Sequence, residues 1–231
     1  MKTSDIRDEI LAHVARTPGW LYPAEAAFLF DAATRVTGKG VIVEIGSWKG
    51  KSTIALAGGA ERAPVYAVDT FQGSAEHRQH GPVHTFDDFL TNLRTARVDG
   101  RVRPICLPSL EAAIDFREPV ELLFIDGDHS YDAVRADFEA WVPKVIPGGL
   151  VALHDTSYWR GPRRVVREAI YGRWAGIRVV RTITAFEKTP PKNLGDRFRW
   201  MAAFAKTTVL GLGISLARVR AGHGFQLSIG R

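Results

Sequence analysis

One short segment, residues 41–53, restricts the possible folds of this chain more than any other. It reads VIVEIGSWKGKST. Its first five residues are apolar apart from Glu44 and rich in β-branched side chains, which is typical of a buried parallel strand. A turn from Gly46 to Gly50 follows, and helical spacing resumes at Ser52. Strand, glycine turn and helix predict the first half of a βαβ unit, where backbone N–H groups and a helix N-terminus face a ligand.

Three kinds of ligand are considered for this turn. A phosphate-binding loop needs one more residue between its glycines than the three that separate Gly46 from Gly50. A dinucleotide fingerprint needs a glycine where Trp48 stands, and a bulky side chain there would obstruct a pyrophosphate. S-adenosylmethionine carries no phosphate, but its amino group and sulfonium are cationic, so Glu44 at the strand end would favour it. The turn therefore favours S-adenosylmethionine, with a nucleotide hydrolase as the alternative.

Two further positions fit a bound nucleoside. Residues 64–69 predict a second strand that ends in Asp69, 25 residues after Glu44. An acid near this spacing binds ribose hydroxyls in dinucleotide folds, and a bidentate carboxylate suits a cis-diol, so we expect Asp69 to bind ribose. Ser109 follows the third predicted strand, residues 102–107, where the loop could reach an adenine edge.

Acids and histidines follow two other apolar strands. One strand ends in Asp126, with His129 three residues beyond it, and the next is followed by His154 and Asp155. Ligands of open α/β sheets bind at this carboxyl edge. Two neighbouring carboxylates are costly without a cation between them, and Mg²⁺ takes such oxygen ligands. We therefore expect a cation there with His129 as general base, helix capping by the two acids being the alternative.

These segments resemble the class I S-adenosylmethionine-dependent methyltransferases, and within them the metal-dependent O-methyltransferases of small molecules and sugars. The matching segments are Gly19-Trp20, residues 44–53, residues 68–73, residues 125–129, Pro147-Gly148-Gly149 and His154-Asp155. The resemblance implies an α/β fold: a Rossmann-like, seven-stranded, mostly parallel sheet flanked by helices, with N-terminal helices and a C-terminal helical tail.

The resemblance also implies roles for individual residues. Trp48 departs from the common E-x-G-x-G pattern, and His154 stands where some relatives have a glutamate metal ligand. The cofactor S-adenosyl-L-methionine would be bound by Glu44, Gly46, Ser47, Ser52, Thr53, Asp69, Ser109 and Asp126; Mg²⁺ would be bound by Asp126, His154 and Asp155; and His129 would be the catalytic base.

The charge of the chain is unevenly distributed. After position 155 there are 15 basic and 3 acidic residues, against 16 and 22 before it. A basic second half indicates an anionic partner: a membrane surface, an acidic substrate, or the acidic half of a second subunit. Nucleic acid is not expected, because no basic motif with interleaved aromatic residues is present.

Domain organisation and partners complete the sequence-based predictions. We predict a methyltransferase domain over residues 1–190, with a helical cap over 1–40, and a basic, apolar tail over 191–231. The later elements of the domain would be a turn at 147–149, strands over 150–153, 178–181 and 182–187, and a helix over 165–174. Residues 200–219 would form a packing or dimer helix, lie on a membrane surface, or span the membrane. The single Cys106 excludes an intramolecular disulfide, and no signal peptide is seen, so a cytoplasmic, possibly membrane-associated homodimer acting on a small-molecule or carbohydrate acceptor is expected. A non-catalytic membrane- or partner-binding module is the remaining alternative.

Overall fold

A central sheet organises the fold. The computed structural model describes residues 3–74, 78, 81–196, 198–203, 205 and 209. In this part of the chain a seven-stranded sheet has the order β3-β2-β1-β4-β5-β7-β6. β1 to β5 run parallel, and β7 is antiparallel to both β5 and β6. The strands are β1 Val41–Ile45, β2 Val65–Val68, β3 Val102–Ile105, β4 Val120–Ile125, β5 Val145–Leu153, β6 Ala175–Val180 and β7 Ile183–Glu187.

Helices cover both faces of the sheet. Every residue of β1 is buried, and alternate residues face different layers: Ile42 packs with α1 to α4, and Val43 packs with α5 to α7. This arrangement explains the unbroken apolar run of the central strand. The helices are α1 Thr3–Arg16, α2 Pro23–Ala33, α3 Lys51–Gly59, α4 Phe86–Thr95, α5 Ser109–Asp115, α6 Tyr131–Trp141 and α7 Arg160–Val165, the last continued by a π-helical turn, Val166–Ile170.

The predicted fold class is confirmed, and three element boundaries are corrected. β5 begins at Val145 and includes Pro147 to Gly149, which the sequence indicated as a turn before a strand at 150–153. The N–H of Gly148 and the carbonyl of Gly149 both bond to the backbone of Lys188, which extends the pairing with β7. β6 begins at Ala175 rather than at 178, and the helical segment after Arg160 ends at Ile170 rather than at 174.

The C-terminal tail is only partly described. Residues 194–196 and 198–203 are helical, but most of the helix predicted over 200–219 lies outside the described residues. Among the described residues, no helix combines the length and the apolar character that crossing a bilayer requires.

The N-terminal helices pack tightly against α3. α1 and α2 both contact α3, and the backbones of α2 and α3 approach so closely that only a glycine fits at the end of α3. A Cβ atom added to Gly59 would lie 2.3 Å from the carbonyl oxygen of Phe30. The cap therefore belongs to the same packed core as the first βα unit.

Replacing Gly59 with alanine should destabilise the protein. The added methyl group would force the α2 and α3 backbones apart, and we expect the free energy of unfolding to fall by about 2 kcal/mol. Gly100→Ala is the matched control, because nothing lies within 4 Å of a Cβ there. Urea unfolding measures the change in unfolding free energy for both substitutions, provided that the m-value stays constant. Equal losses of stability in the two variants would contradict the close contact between Gly59 and Phe30.

Candidate active site

Glu44 lies fully buried at the end of β1, beneath the glycine turn. Its carboxylate accepts hydrogen bonds from the hydroxyls of Ser47 at 2.7 Å and of Ser52 and Thr53 at 2.5 Å each. Burial raises the pKa of Glu44 to about 7, although the three hydroxyls act in the opposite direction. The hydroxyl groups assigned to the cofactor in the sequence analysis are thus turned toward Glu44.

Asp69, at the end of β2, shapes the turn through backbone hydrogen bonds. Its Oδ2 accepts from the N–H of Ser47 at 2.8 Å and of Trp48 at 2.7 Å, and its Oδ1 accepts from the N–H of Phe71 at 2.7 Å. A carboxylate has about four acceptor positions, so one position on Oδ1 is left for a ribose hydroxyl. If Asp69 bound both ribose hydroxyls, one of these backbone hydrogen bonds would have to break.

Gly46 brings the turn and the end of β4 together. Its φ is +85°, and a Cβ atom there would lie 2.1 Å from the carbonyl oxygen of Asp126. Both the left-handed conformation and the close approach require glycine. The turn after β1 and the acid after β4 therefore lie side by side.

Lys51 does not extend into this turn as the lysine of a phosphate-binding loop does. Its Nζ donates to the backbone carbonyl of Thr17 at 2.8 Å, between α1 and α2. The ammonium group that would have to reach a phosphate is thus bound to the N-terminal cap, which weighs against the nucleotide hydrolase alternative.

His154 stands among acids from three elements. Its Nδ1 lies 2.9 Å from Oδ1 of Asp126 and 3.6 Å from Oδ2 of Asp155, and its Nε2 lies 3.2 Å from Oε2 of Glu25. Burial disfavours a charged ring, but the negative charges of Asp126 and Asp155 and the hydrogen bond with Glu25 raise the pKa of His154 well above its ordinary value. Positive charge at this point compensates the acids.

Glu25, near the start of α2, is a site residue that the sequence analysis missed. It is fully buried, and its Oε1 accepts from both the N–H and the hydroxyl of Thr182 at 2.7 Å each. Burial acts to raise the pKa of Glu25, but the hydrogen bond with His154 and those from Tyr22 and Thr182 lower it. An isolated acid in the apolar run PAEAAFLF was the available signal, because a charge there needs a partner.

His129 contacts Asp155 and Trp159 at the same edge. Its Nε2 lies 3.2 Å from Oδ2 of Asp155, and its ring stacks on Trp159 with centroids 4.6 Å apart and planes 4° apart. Burial acts to raise the pKa of Asp155, but the hydrogen bond with His129 and the charges of His154 and His129 lower it. Asp155 is therefore an ionised group that orients His129.

The hydroxyl of Ser109 is bound to a residue of the neighbouring helix α6. Ser109 begins α5 rather than lying in a loop, and its hydroxyl donates to the carboxylate of Asp137 on α6. Burial raises the pKa of Asp137 to about 6, although this hydrogen bond acts in the opposite direction. Any contact of Ser109 with a bound nucleoside would have to compete with Asp137.

The edge residues fit a divalent cation. Ligand atoms of Asp126, His154 and Asp155 all lie within 4.8 Å of one another. The buried Nδ1 of His154 has no aligned hydrogen-bond partner, although Oδ1 of Asp126 is 2.9 Å away. Ligand atoms on one ion with bonds of about 2.1 Å stand about 3 Å apart. Nδ1 of His154 and Oδ1 of Asp126 have this spacing, and Oδ2 of Asp155 lies 3.6 Å from the same nitrogen.

The same edge fits a cationic nucleoside ligand. Glu44, Asp69 and Asp126 end three neighbouring strands around the turn, and Asp69 keeps an acceptor position. A row of carboxylates suits an amino group, a sulfonium and ribose hydroxyls, whereas it would repel a phosphate.

Comparison with known proteins agrees with this geometry. A family model described as "Methyltransferase domain" matches residues 43–156. The matched segment begins in β1, includes the glycine turn and Asp69, and ends directly after Asp155, so it contains the acids and histidines of the edge described above except Glu25.

Two curated relatives match part of this chain. The chain is 34% identical over 137 residues to the uncharacterized protein y4gI of Sinorhizobium fredii (strain NBRC 101917 / NGR234), a match over 58% of this chain and 14% of that protein. It is 40% identical over 60 residues to the demethylmacrocin O-methyltransferase of Streptomyces fradiae, a match over 25% of this chain and 14% of that enzyme. The chain thus matches only a small part of the length of these relatives.

Solved structures show the methyltransferase fold. The O-methyltransferase NovP superposes with a TM-score of 0.67 at 17% identity, over 81% of this chain and 98% of NovP. The MycE methyltransferase, in complex with Mg, S-adenosylhomocysteine (SAH) and mycinamycin VI, superposes with a TM-score of 0.54 at 19% identity, over 80% of this chain and 55% of MycE. The class I methyltransferase fold expected from the sequence is confirmed.

The buried carboxyl of Glu44 should make stability depend on pH. Its pKa is raised from 4.5 to about 7 in the folded protein, so its contribution is complete below the unfolded pKa and is lost as the pH rises through the folded one. Relative to Glu44→Gln, the wild-type protein should lose about 2–3 kcal/mol of unfolding free energy between about pH 5 and pH 8.

Glu121→Gln is the matched control for this measurement. Glu121 accepts hydrogen bonds from the backbone of Thr37 and Gly40, which lower its pKa although burial acts in the opposite direction. The difference in unfolding free energy between Glu121→Gln and the wild type should stay constant over the same pH range. Urea unfolding at several pH values measures both differences, and a constant difference for Glu44→Gln would refute the assignment of a raised pKa.

Proposed function

We propose that this chain is an S-adenosylmethionine-dependent O-methyltransferase that methylates a hydroxyl group of a small molecule or sugar. The observation that carries the proposal is the convergence of His129, Asp126 and Asp155 at one sheet edge, beside the glycine turn. A relative named as an O-methyltransferase and the MycE complex with Mg and SAH support the same chemistry.

The methyl donor would lie over the turn between β1 and α3. When bound, S-adenosylmethionine supplies an electrophilic methyl carbon. Asp69 would accept one ribose hydroxyl on Oδ1 while its other bonds keep the turn in shape. Gly46 leaves the edge open, and Glu44 would act on the cationic part of the ligand from beneath the turn, with Ser47, Ser52 and Thr53 holding its carboxylate. Asp126 and Ser109 would complete the cofactor site at the ends of β4 and β3.

A divalent cation would be held by Asp126, His154 and Asp155. The ion predicted from the sequence is Mg²⁺. When bound, such an ion lowers the pKa of a coordinated hydroxyl and fixes its orientation. The three ligand atoms already lie within 4.8 Å of one another. Their side chains come from the ends of adjacent parallel strands, so little rearrangement is needed to bind an ion.

His129 would remove the proton of the acceptor hydroxyl. Nδ1 would accept the proton, because Nε2 donates its hydrogen to Oδ2 of Asp155, 3.2 Å away, and that carboxylate stabilises the imidazolium that results. Stacking on Trp159 fixes the plane of the ring at the edge. Because an alcohol is a weak nucleophile at neutral pH, the rate would depend on the alignment of the acceptor hydroxyl and on the removal of its proton.

Aromatic residues around the edge support a sugar or natural-product acceptor. Trp20 and Tyr22 are 55% and 47% exposed, Trp20 lies against Trp48 of the turn, and Trp159 supports His129. Rigid aromatic faces give such acceptors apolar contact at low entropic cost. Arg181 lies over the ring of Tyr22 at 4.5 Å, which adds a positive charge on this side.

The wider predictions remain part of this proposal. The methyltransferase domain would span residues 1–190 with its helical cap at 1–40, and the basic tail 191–231 would serve dimer contacts or a membrane surface. A cytoplasmic location and a homodimer fit the absence of paired cysteines and the opposite charges of the two parts of the chain.

Substituting His129 tests the proposed role directly. His129→Gln should lower kcat by about 10²–10⁴-fold, because the general base is lost, while affinity for SAH changes less than about twofold. Activity is measured as transfer of a labelled methyl group from S-adenosylmethionine to a panel of nucleotide sugars, glycosylated macrolides and catechols, with binding followed by calorimetry.

His13→Gln is the control, because His13 lies on α1 outside the proposed site. It should leave both kcat and binding unchanged. A loss of SAH affinity in His129→Gln as large as the loss in kcat would show that His129 binds the cofactor and does not act as the base.

A further inference from the structure

The orientation of His154 is set from its far side. Nε2 lies 3.2 Å from Oε2 of Glu25, so the imidazole presents Nδ1 to Asp126 and Asp155. His154 is 6% exposed and Glu25 is completely buried.

Glu25 itself is held rigidly. Its Oε1 is occupied by the two hydrogen bonds from Thr182, and its Oε2 also accepts from the N–H of Tyr22 at 2.9 Å. With both oxygens engaged, the carboxylate cannot rotate without breaking several buried hydrogen bonds. The direction of the His154 ring is therefore fixed by the start of α2 and by the turn between β6 and β7.

This arrangement is the one found around histidine ligands of metals. A histidine that binds a metal through one nitrogen commonly donates the other N–H to a carboxylate, which fixes both the tautomer and the plane of the ring. Glu25 has the position and the hydrogen bonds for that role. When an ion binds, the proton on Nδ1 would leave to solvent and the ion would take over the charge compensation, while the N–H at Nε2 stays bonded to Glu25. Oδ1 of Asp126 lies at 2.9 Å from Nδ1 without an aligned hydrogen bond, as expected for two ligands that share an ion.

We propose that Glu25 positions His154 as a nitrogen ligand, so that the site has one imidazole and two carboxylates and prefers first-row transition-metal ions such as Mn²⁺ to Mg²⁺. The inference rests on the proposed function, because that function assigns a cation to this edge. From the sequence, Mg²⁺ was expected because two acids lie at this edge. The nitrogen ligand instead favours a transition-metal ion.

The chemical reason is the nature of the third ligand. Mg²⁺ prefers oxygen ligands and keeps several waters, whereas imidazole favours transition-metal ions. An imidazole fixed by Glu25 has already lost its rotational freedom, so the entropic cost of binding the ion is smaller than for a mobile side chain. The buried acid on α2 thereby affects the selectivity of a centre it does not itself touch.

Pulsed electron paramagnetic resonance of the Mn²⁺-loaded full chain tests the ligand directly. The wild-type protein should show ¹⁴N modulation from a bound imidazole, and labelling with ¹⁵N-histidine should replace it with a ¹⁵N signal. His154→Gln should abolish the modulation, whereas His129→Gln should retain it. The labelled wild type shows whether a histidine binds the ion, and the two variants identify which histidine it is.

Calorimetry tests selectivity and the role of Glu25. Wild type should bind Mn²⁺ at least about tenfold more tightly than Mg²⁺, and His154→Asp should reduce this ratio several-fold. Glu25→Gln should weaken Mn²⁺ binding by about 10–100-fold. Glu121→Gln is the matched control, since Glu121 also binds backbone N–H groups but lies at the opposite end of β4, and it should leave the Mn²⁺ affinity unchanged.

The two proposals can fail separately. A protein that binds SAH but shows no nitrogen coupling, or the same Mn²⁺ to Mg²⁺ ratio in His154→Asp as in the wild type, would overturn the nitrogen ligand and leave the methyltransferase proposal in place. Loss of Mn²⁺ affinity in Glu121→Gln as large as in Glu25→Gln would overturn the positioning role. A protein with nitrogen-coupled Mn²⁺ but no SAH binding would contradict the proposed function instead.

Discussion

The compensation of buried negative charge around His154 connects the main parts of this molecule. Glu25, Asp126 and Asp155 come from α2, the end of β4 and the end of β5, and all three approach one imidazole. An uncompensated buried carboxylate costs several kcal/mol (about 3–5 when one partner is removed). The cap helix, the central strands and the β6–β7 turn must therefore assemble together for these charges to be tolerated, and the candidate active site forms where they meet.

At the glycine turn, the negative charges of the acids are compensated by hydrogen-bond donors rather than by a cation. Glu44 is stabilised by three hydroxyls and Asp69 by three backbone N–H groups, so both acids maintain the shape of the turn. The consequences differ because Glu44 is fully buried, which moves its pKa to about 7, whereas Asp69 keeps one acceptor position at the edge. The surface left for a ligand consists of backbone, Asp69 and Asp126 more than of serine hydroxyls.

Local patterns in the sequence predicted the sheet and its edge, but not the contacts made across the fold. The apolar run of β1 and the acids that follow β4 and β5 were sufficient to predict the sheet and this edge, because parallel strands bring their carboxyl ends together there. The pairing of Glu25 with His154 spans 129 positions, and no local periodicity encodes it. The inclusion of Gly148 and Gly149 in β5 depends on backbone hydrogen bonds with Lys188, and the Ser52 hydroxyl donates to Glu44, which lies eight residues before it.

Isothermal calorimetry of the purified chain against SAH and ATP tests the central claim most directly. The row of carboxylates at the sheet edge and the engagement of Lys51 by Thr17 predict that SAH binds and that ATP does not, with or without a divalent ion. Binding of ATP in the absence of any SAH binding would contradict the account, because it would mean that the glycine turn receives phosphate.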